Sequence, residues 1–298
     1  MNQAPQNQAS DESTRRFLPG LAALWMFIAF LLFLFFVSLS ATFFPKENLG
    51  VLLLSGLSAS AFLIVSARLL GSYPMGDNLA AAVALRSTAW PLLPLGALIG
   101  AGLQLPAERI HQWVVQVFPP SAEQLAKQAK IFDVQNSVTA VGMVVTLCLI
   151  VPLAEETFFR GVIYGAMRRS AVSVSRAFWT VAVGFTLCHL SLQTIFSIAI
   201  VAIILGAMRS WSGSLYPPLL AHIAFNGVTV FSQLRGATEI SLVDLTLSQE
   251  LLGYLLLFLC LSLFWVMAQR SPRALRARLF DLRLGELVNL LGKSGFPR

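Results

Sequence analysis

The sequence predicts an all-α fold, a polytopic membrane bundle of about eight transmembrane helices. Three observations carry that prediction. Residues of the AVILMFWYC class make up 56% of the 298 residues, and the mean hydropathy is +0.74. Only 12% of residues are charged, about half the ~25% of an ordinary soluble domain. The apolar residues also gather into runs close to the ~20 residues that a membrane-crossing helix needs. Together these exclude a water-soluble enzyme, a disordered chain and a disulfide-stapled secreted scaffold. Cys148, Cys188 and Cys260 lie inside apolar runs without CxxC spacing, which argues against a disulfide framework or a structural zinc site. The net charge of +7 is not gathered on one soluble face. It fits a lipid bilayer surface and not a nucleic acid.

The elements follow in order. Residues 1–16, rich in Asn, Gln and Ser, read as a disordered cytoplasmic tail. A transmembrane domain is expected over 17–268, with a motif core at about 137–234, and a basic juxtamembrane tail over 269–298. Its first span, 17–44, follows Arg15-Arg16 and is longer than the h-region of a cleaved signal peptide. The remaining spans are read as 49–70, 89–105, 137–167, 176–192, 194–209, 213–234 and 249–268. Pro91 and Pro94 suggest a kink in the third. In 107–118, Ile110, Trp113, Val114 and Val117 share one helical face, and the Leu-rich basic stretch 273–293 is also amphipathic. Both suit helices lying on the bilayer surface.

Eight spans put both termini on one side. The loops and tails of that side hold fifteen Lys and Arg, against five on the other. By the positive-inside rule both termini are cytoplasmic, and the expected location is the bacterial inner membrane. The sorting leaves one basic and two acidic residues inside spans: Arg160, Glu155 and Glu156, all in one segment.

A charge at mid-membrane costs about 2.5–3.5 kcal/mol, so three in one segment need partners or a use. Glu156 and Arg160 stand at i, i+4 in the favourable acid-before-base order, which predicts a bundle-locking ion pair. Glu155, about 100° round the helix, is expected to face a different neighbour. A carboxyl kept from water without a cation holds its proton more tightly, the condition for a general base near neutral pH. His111 belongs to the amphipathic segment and reads as structural. His189 and His222 lie in apolar spans, and Asn226 shares a helix face with His222 at i, i+4. Counting ~1.5 Å of rise per residue from the flanks puts Glu155 and His189 each roughly 20 Å deep, and His222 roughly 15 Å. The groups can meet at one level.

A Glu base beside a His can deprotonate water, and a second His with an Asn amide can stabilise an oxyanion. These parts suffice for peptide hydrolysis without a covalent intermediate. GxSxG and HExxH are absent. Glu155, His189 and His222 could also form a three-ligand zinc site, which the spacing neither requires nor excludes.

The runs Glu155-Glu156-xxx-Arg160, Phe185-xxx-His189 and His222-xxx-Asn226 resemble, in order and spacing, the three motifs of the CPBP intramembrane endopeptidases. That family includes the CAAX-prenyl endopeptidases of the Ras-converting type and bacterial bacteriocin-processing or self-immunity proteins. The resemblance implies a multi-pass membrane hydrolase acting on a membrane-bound protein or peptide. It implies Glu155 as catalytic base, His189 as its partner in activating water, His222 and Asn226 as the oxyanion hole, and Glu156 and Arg160 as supporting residues. No cofactor is expected, because Asn226 is a poor zinc ligand and a good amide donor. A zinc-dependent protease at the same site is the alternative, with a proton-coupled transporter or a non-catalytic scaffold behind it.

Overall fold

A computed structural model describes residues 17–43, 49–71, 83–132, 134, 136–189, 191–235 and 245–279. The expected tail 1–16 and the 280–298 part of the expected tail 269–298 lie outside these. Among the described residues every regular element is helical. The helices are α1 (Pro19–Phe43), α2 (Leu49–Gly71), α3 (Leu92–Gly102), α4 (Gln104–Val117), α5 (Ala122–Phe132), α6 (Ser137–Arg169), α7 (Val174–Leu187), α8 (Ile195–Ser212), α9 (Tyr216–Leu234), α10 (Leu247–Arg270) and α11 (Pro272–Leu279). The protein is a polytopic helical membrane protein. Among the described residues α6, α8, α10 and the Pro19–Phe36 part of α1 are long and apolar enough to cross a membrane, and Leu53–Arg68 and Val174–Leu187 are shorter apolar helices.

Several boundaries differ from the sequence reading. Pro91 precedes the third span's helix and Pro94 falls in its first turn, where a missing N–H breaks no helical bond. The expected kink is absent there. The helical path bends instead at Leu103 and continues as α4. That second helix does not simply lie on the surface. It buries Gln104, Ala107 and Val114 while Trp113 and Val117 remain exposed. The span read as 176–192 is helical only to Leu187. At ~1.5 Å per residue α7 extends roughly 21 Å, short of the ~30 Å hydrocarbon core. The span read from 213 starts at Tyr216, with Pro217 and Pro218 in its first turn.

The core has two main parts. One gathers Phe17, Met26, Phe158, Phe159, Ile163 and Phe185 from α1, α6 and α7 and their flanks. The other gathers Leu92, Ile99, Leu205, Met208, Ala221 and Phe264 from α3, α8, α9 and α10. In lipid no hydrophobic force drives helices together, so small residues that let backbones approach take over that role. Gly96 and Gly100, four apart on α3, do this against α9. A Cβ on Gly96 would stand 2.7 Å from the Pro217 carbonyl oxygen, and one on Gly100 1.9 Å from that of Ala221.

The connections sort into two ends. At one, the Phe17 N–H donates to Ser170 Oγ (2.8 Å), the Leu215 N–H to the Ala84 carbonyl (3.0 Å) and Ser214 Oγ to the Arg86 carbonyl (2.7 Å). At the other, Arg109 pairs with Glu250, and His111 Nδ1 meets the Gln193 carbonyl at 3.0 Å. No contact of either set mixes loops that the charge sorting had placed on opposite sides.

Gly213 closes α8 in the left-handed region (φ 67°). A Cβ there would stand 2.3 Å from the backbone nitrogen of Arg278, so α11 lies directly on the α8–α9 turn. Arg278 donates from NH1 to the carbonyls of Trp211 (2.6 Å) and Ala268 (3.1 Å), and burial lowers its guanidinium pKa.

Candidate active site

Helix α6 brings the two glutamates into the bundle and is not a regular helix. Its backbone widens to π-helical turns over Val145–Ile150 and Glu156–Ile163. Pro152 explains the first. A proline ring inside an α-helix collides with the carbonyl four residues back, here that of Cys148, and a wider turn relieves the collision. In the widened register the Val151 N–H reaches the Thr146 carbonyl, five residues back. The second π segment starts at Glu156 and carries Arg160.

The expected ion pair is present. Arg160 NH1 donates to Glu156 Oε1 at 3.0 Å, with the side chains 1% and 0% exposed. The same oxygen lies 2.9 Å from Nδ1 of His222, on α9. A carboxylate there needs a donor, so the contact fixes Nδ1 as the protonated ring nitrogen. His222 Nε2 points to the other glutamate, 3.8 Å from Glu155 Oε2. Both glutamates therefore reach one imidazole, and Glu155 does not face a separate neighbour as its helical angle suggested. Its side chain is 18% exposed, against 0% for Glu156, so Glu155 is the carboxylate that water can reach.

Phe185, 2% exposed, is the floor of the site. The Arg160 guanidinium stacks over its ring at 4.0 Å, the His189 ring lies 4.7 Å from it and the His222 ring 6.1 Å. Sequence reasoning quoted Phe185 within a motif but gave it no role. Its aromatic face, next to a histidine one turn on, was the available signal.

His189 stands in the turn after α7 and not on a helix. Its Nδ1 lies 2.8 Å from the Phe185 carbonyl, which leaves Nε2 as the ring nitrogen open to other partners. Among the described residues no hydrogen bond or ion pair joins His189 to either glutamate. Asn226 shares the α9 face with His222, and its Nδ2 donates to the Leu147 carbonyl at 2.8 Å. The structure thus joins Glu155, Glu156, Arg160 and His222 directly, sets His189 beside them across Phe185, and ties Asn226 to α6.

Arg209 is a residue that the sequence reading misplaced. It was counted as a loop cation, but it is 1% exposed and donates from Nε to the Arg160 carbonyl at 3.0 Å, with its guanidinium over Tyr164. Among the described residues no three His, Cys, Asp or Glu side chains are grouped closely enough to hold a metal ion, the proposed set Glu155, His189 and His222 included.

A solvent-reachable carboxylate 3.8 Å from an oriented imidazole, on a dry charged floor, is an arrangement suited to acid–base work on a group bound between the two. Residues 137–228, from the start of α6 to well into α9, match the family model described as type II CAAX prenyl endopeptidase, Rce1-like. No curated protein and no solved structure matches the chain.

Proposed function

We propose that this chain, an integral membrane peptide hydrolase by virtue of its Rce1-like domain in the CAAX-protease (CPBP) family, cleaves its substrate by a glutamate-dependent, metal-free mechanism. The observation that carries this reading is the 3.8 Å gap between Glu155 Oε2 and His222 Nε2. No atom fits on the line between them at that separation, but one placed off that line, about 2.8 Å from each, touches both groups. Glu155 takes a proton from water, and the oxygen attacks the peptide carbonyl. His222, turned by Glu156, must carry a proton on both ring nitrogens at this step, so that Nε2 donates to the developing oxyanion beside the Asn226 amide while Nδ1 stays on Glu156. The proton held by Glu155 then passes to the leaving amine. His189, with Nε2 open, assists the water from the far side of Phe185. Glu156 and Arg160 hold the imidazole and take no part in proton transfer.

The substrate is a membrane protein or lipid-anchored peptide, and both termini of the enzyme face the cytoplasm. Support for that orientation is the distribution of basic residues over the loops and tails, fourteen to five once the buried Arg209 is left out. A zinc centre on Glu155, His189 and His222 is the reading that the proposal displaces. His222 Nδ1 is held by Glu156, and the three side chains are not grouped as a ligand set.

The test compares new protein N-termini in membranes of cells making the wild-type chain or Glu155→Gln. Termini in membrane proteins that occur only with the wild type are expected; identical sets would overturn the glutamate mechanism. The purified enzyme is expected to retain full turnover after exhaustive chelation. Loss that added zinc restores would establish the metal reading instead.

A further inference from the structure

The Leu147 carbonyl on α6 has lost both backbone donors that a helix could offer it. In an α-helical register its partner would be the Val151 N–H, but that group donates to the Thr146 carbonyl. In the π-helical register its partner would be residue 152, which is proline and has no N–H. A carbonyl inside a membrane bundle without a donor costs several kcal/mol. Its partner comes from another helix: Asn226 Nδ2 donates to it at 2.8 Å. The assignment of the amide is secure, because a carbonyl can only accept.

We infer that Pro152 is a positioning residue of the site, acting through the donor-less Leu147 carbonyl to capture and orient the Asn226 amide. The geometry has two consequences. The bond takes one of the two amide N–H groups, which removes the freedom of the side chain to flip and gives the other N–H a set direction. It also ties α9 to α6 one turn beyond His222 and two turns before Glu155. Gly96 and Gly100 fix the same helix from the α3 side. The register between the two catalytic helices is thereby set by a missing hydrogen. The inference rests on the proposed function only where it assigns the oriented amide to catalysis; the capture itself stands apart from that reading.

Pro152→Ala tests it, because the new N–H and a relaxed ladder supply Leu147 with a backbone donor in either register. Four full-length proteins are compared in lipid nanodiscs: wild type, Pro152→Ala, Asn226→Leu and the double variant. Asn226→Leu is expected to lower the unfolding midpoint by about 2–4 °C in the wild-type background. Its effect should be less than half of that in the Pro152→Ala background. Equal effects in the two backgrounds would overturn the shared-carbonyl argument. By NMR, the Asn226 side-chain amide of the wild type should show one proton shifted downfield and slow to exchange, and Pro152→Ala should abolish the difference. An unchanged amide signal in Pro152→Ala would likewise overturn it. Turnover completes the test: Pro152→Ala is expected to lower kcat about tenfold with KM held, and an unchanged kcat would remove the positioning role. If the wild type cleaves nothing while midpoint and amide behave as expected, the proposed function fails and the capture of Asn226 stands.

Discussion

Glu156 shows how a single carboxylate can organise a site without taking part in its chemistry. One of its oxygens receives both the Arg160 guanidinium and the Nδ1–H of His222. Removing it leaves a guanidinium that is 1% exposed without its anion. Breaking one side of a buried pair costs about 3–5 kcal/mol, so Glu156→Ala is expected to lower the thermal midpoint of the purified protein strongly. Glu155 is part-exposed and makes no hydrogen bond within 3.5 Å among the described residues, so Glu155→Gln is expected to leave that midpoint nearly unchanged while lowering turnover by about 10²–10⁴. Opposite effects of neighbouring glutamates, measured by thermal unfolding and by cleavage, would separate a holding residue from a reacting one. Arg160→Lys in the otherwise wild-type chain should lower the midpoint as well, since an ammonium cannot both stack on Phe185 and reach Glu156. The ion pair was legible in the sequence because i, i+4 spacing survives small changes of helix geometry. The choice of His222 by Glu156 was not. Helical angle separates the two glutamates by about 100°, but side-chain reach and a widened backbone let both meet one ring. The burial of Arg209 was equally hidden, since a basic residue near a loop reads as solvated until the neighbouring carbonyl is known.

At the scale of elements, α3 and α6 depart from ideal helices in opposite ways. Helix α3 lacks side chains at the two points, Gly96 and Gly100, where its backbone comes closest to α9, and α6 has one backbone hydrogen too few. Gly100→Leu is expected to force the α3 and α9 backbones apart, because even a Cβ would overlap the Ala221 carbonyl. Overpacking of this kind usually costs about 1–3 kcal/mol. Since His222 follows Ala221, turnover should fall with stability; a disulfide engineered between the two helices, or unchanged cleavage, would report otherwise. The glycine pair is legible in the sequence as a four-residue repeat within the span, but its close approach to α9 is not, because spacing does not say which helix lies opposite. The helices themselves were legible from apolar runs, and their ends were less so. Apolar content runs on through Cys188, whereas the backbone stops at Leu187 and turns, so the placement of His189 on a helix was wrong for a reason that hydropathy does not register.

For the whole molecule, sorting charges by side anticipated which loops would meet. Arg109 and Glu250 come from connections predicted to share one face, as do Ser170 and Phe17 on the other. The orientation is checked by labelling: cysteines introduced at Trp113 and at Ser271 in intact cells should differ, with an impermeant maleimide reaching the first and not the second. Labelling at Ser271 alone would reverse the topology. Positive-inside counting predicts that orientation from the sum of the charges alone. It says nothing about which cations are inside the protein.

The seat of α11 on Gly213 also constrains the order in which the protein can be completed. Residues 272–279 emerge from a ribosome about sixty positions after the α8–α9 turn that they cover. Throughout that interval the turn leading into the His222 helix has no lid. Of the described helices, the last to leave the ribosome is therefore the one that covers this turn, and a chain whose synthesis stops before residue 272 retains all the proposed catalytic residues without that contact.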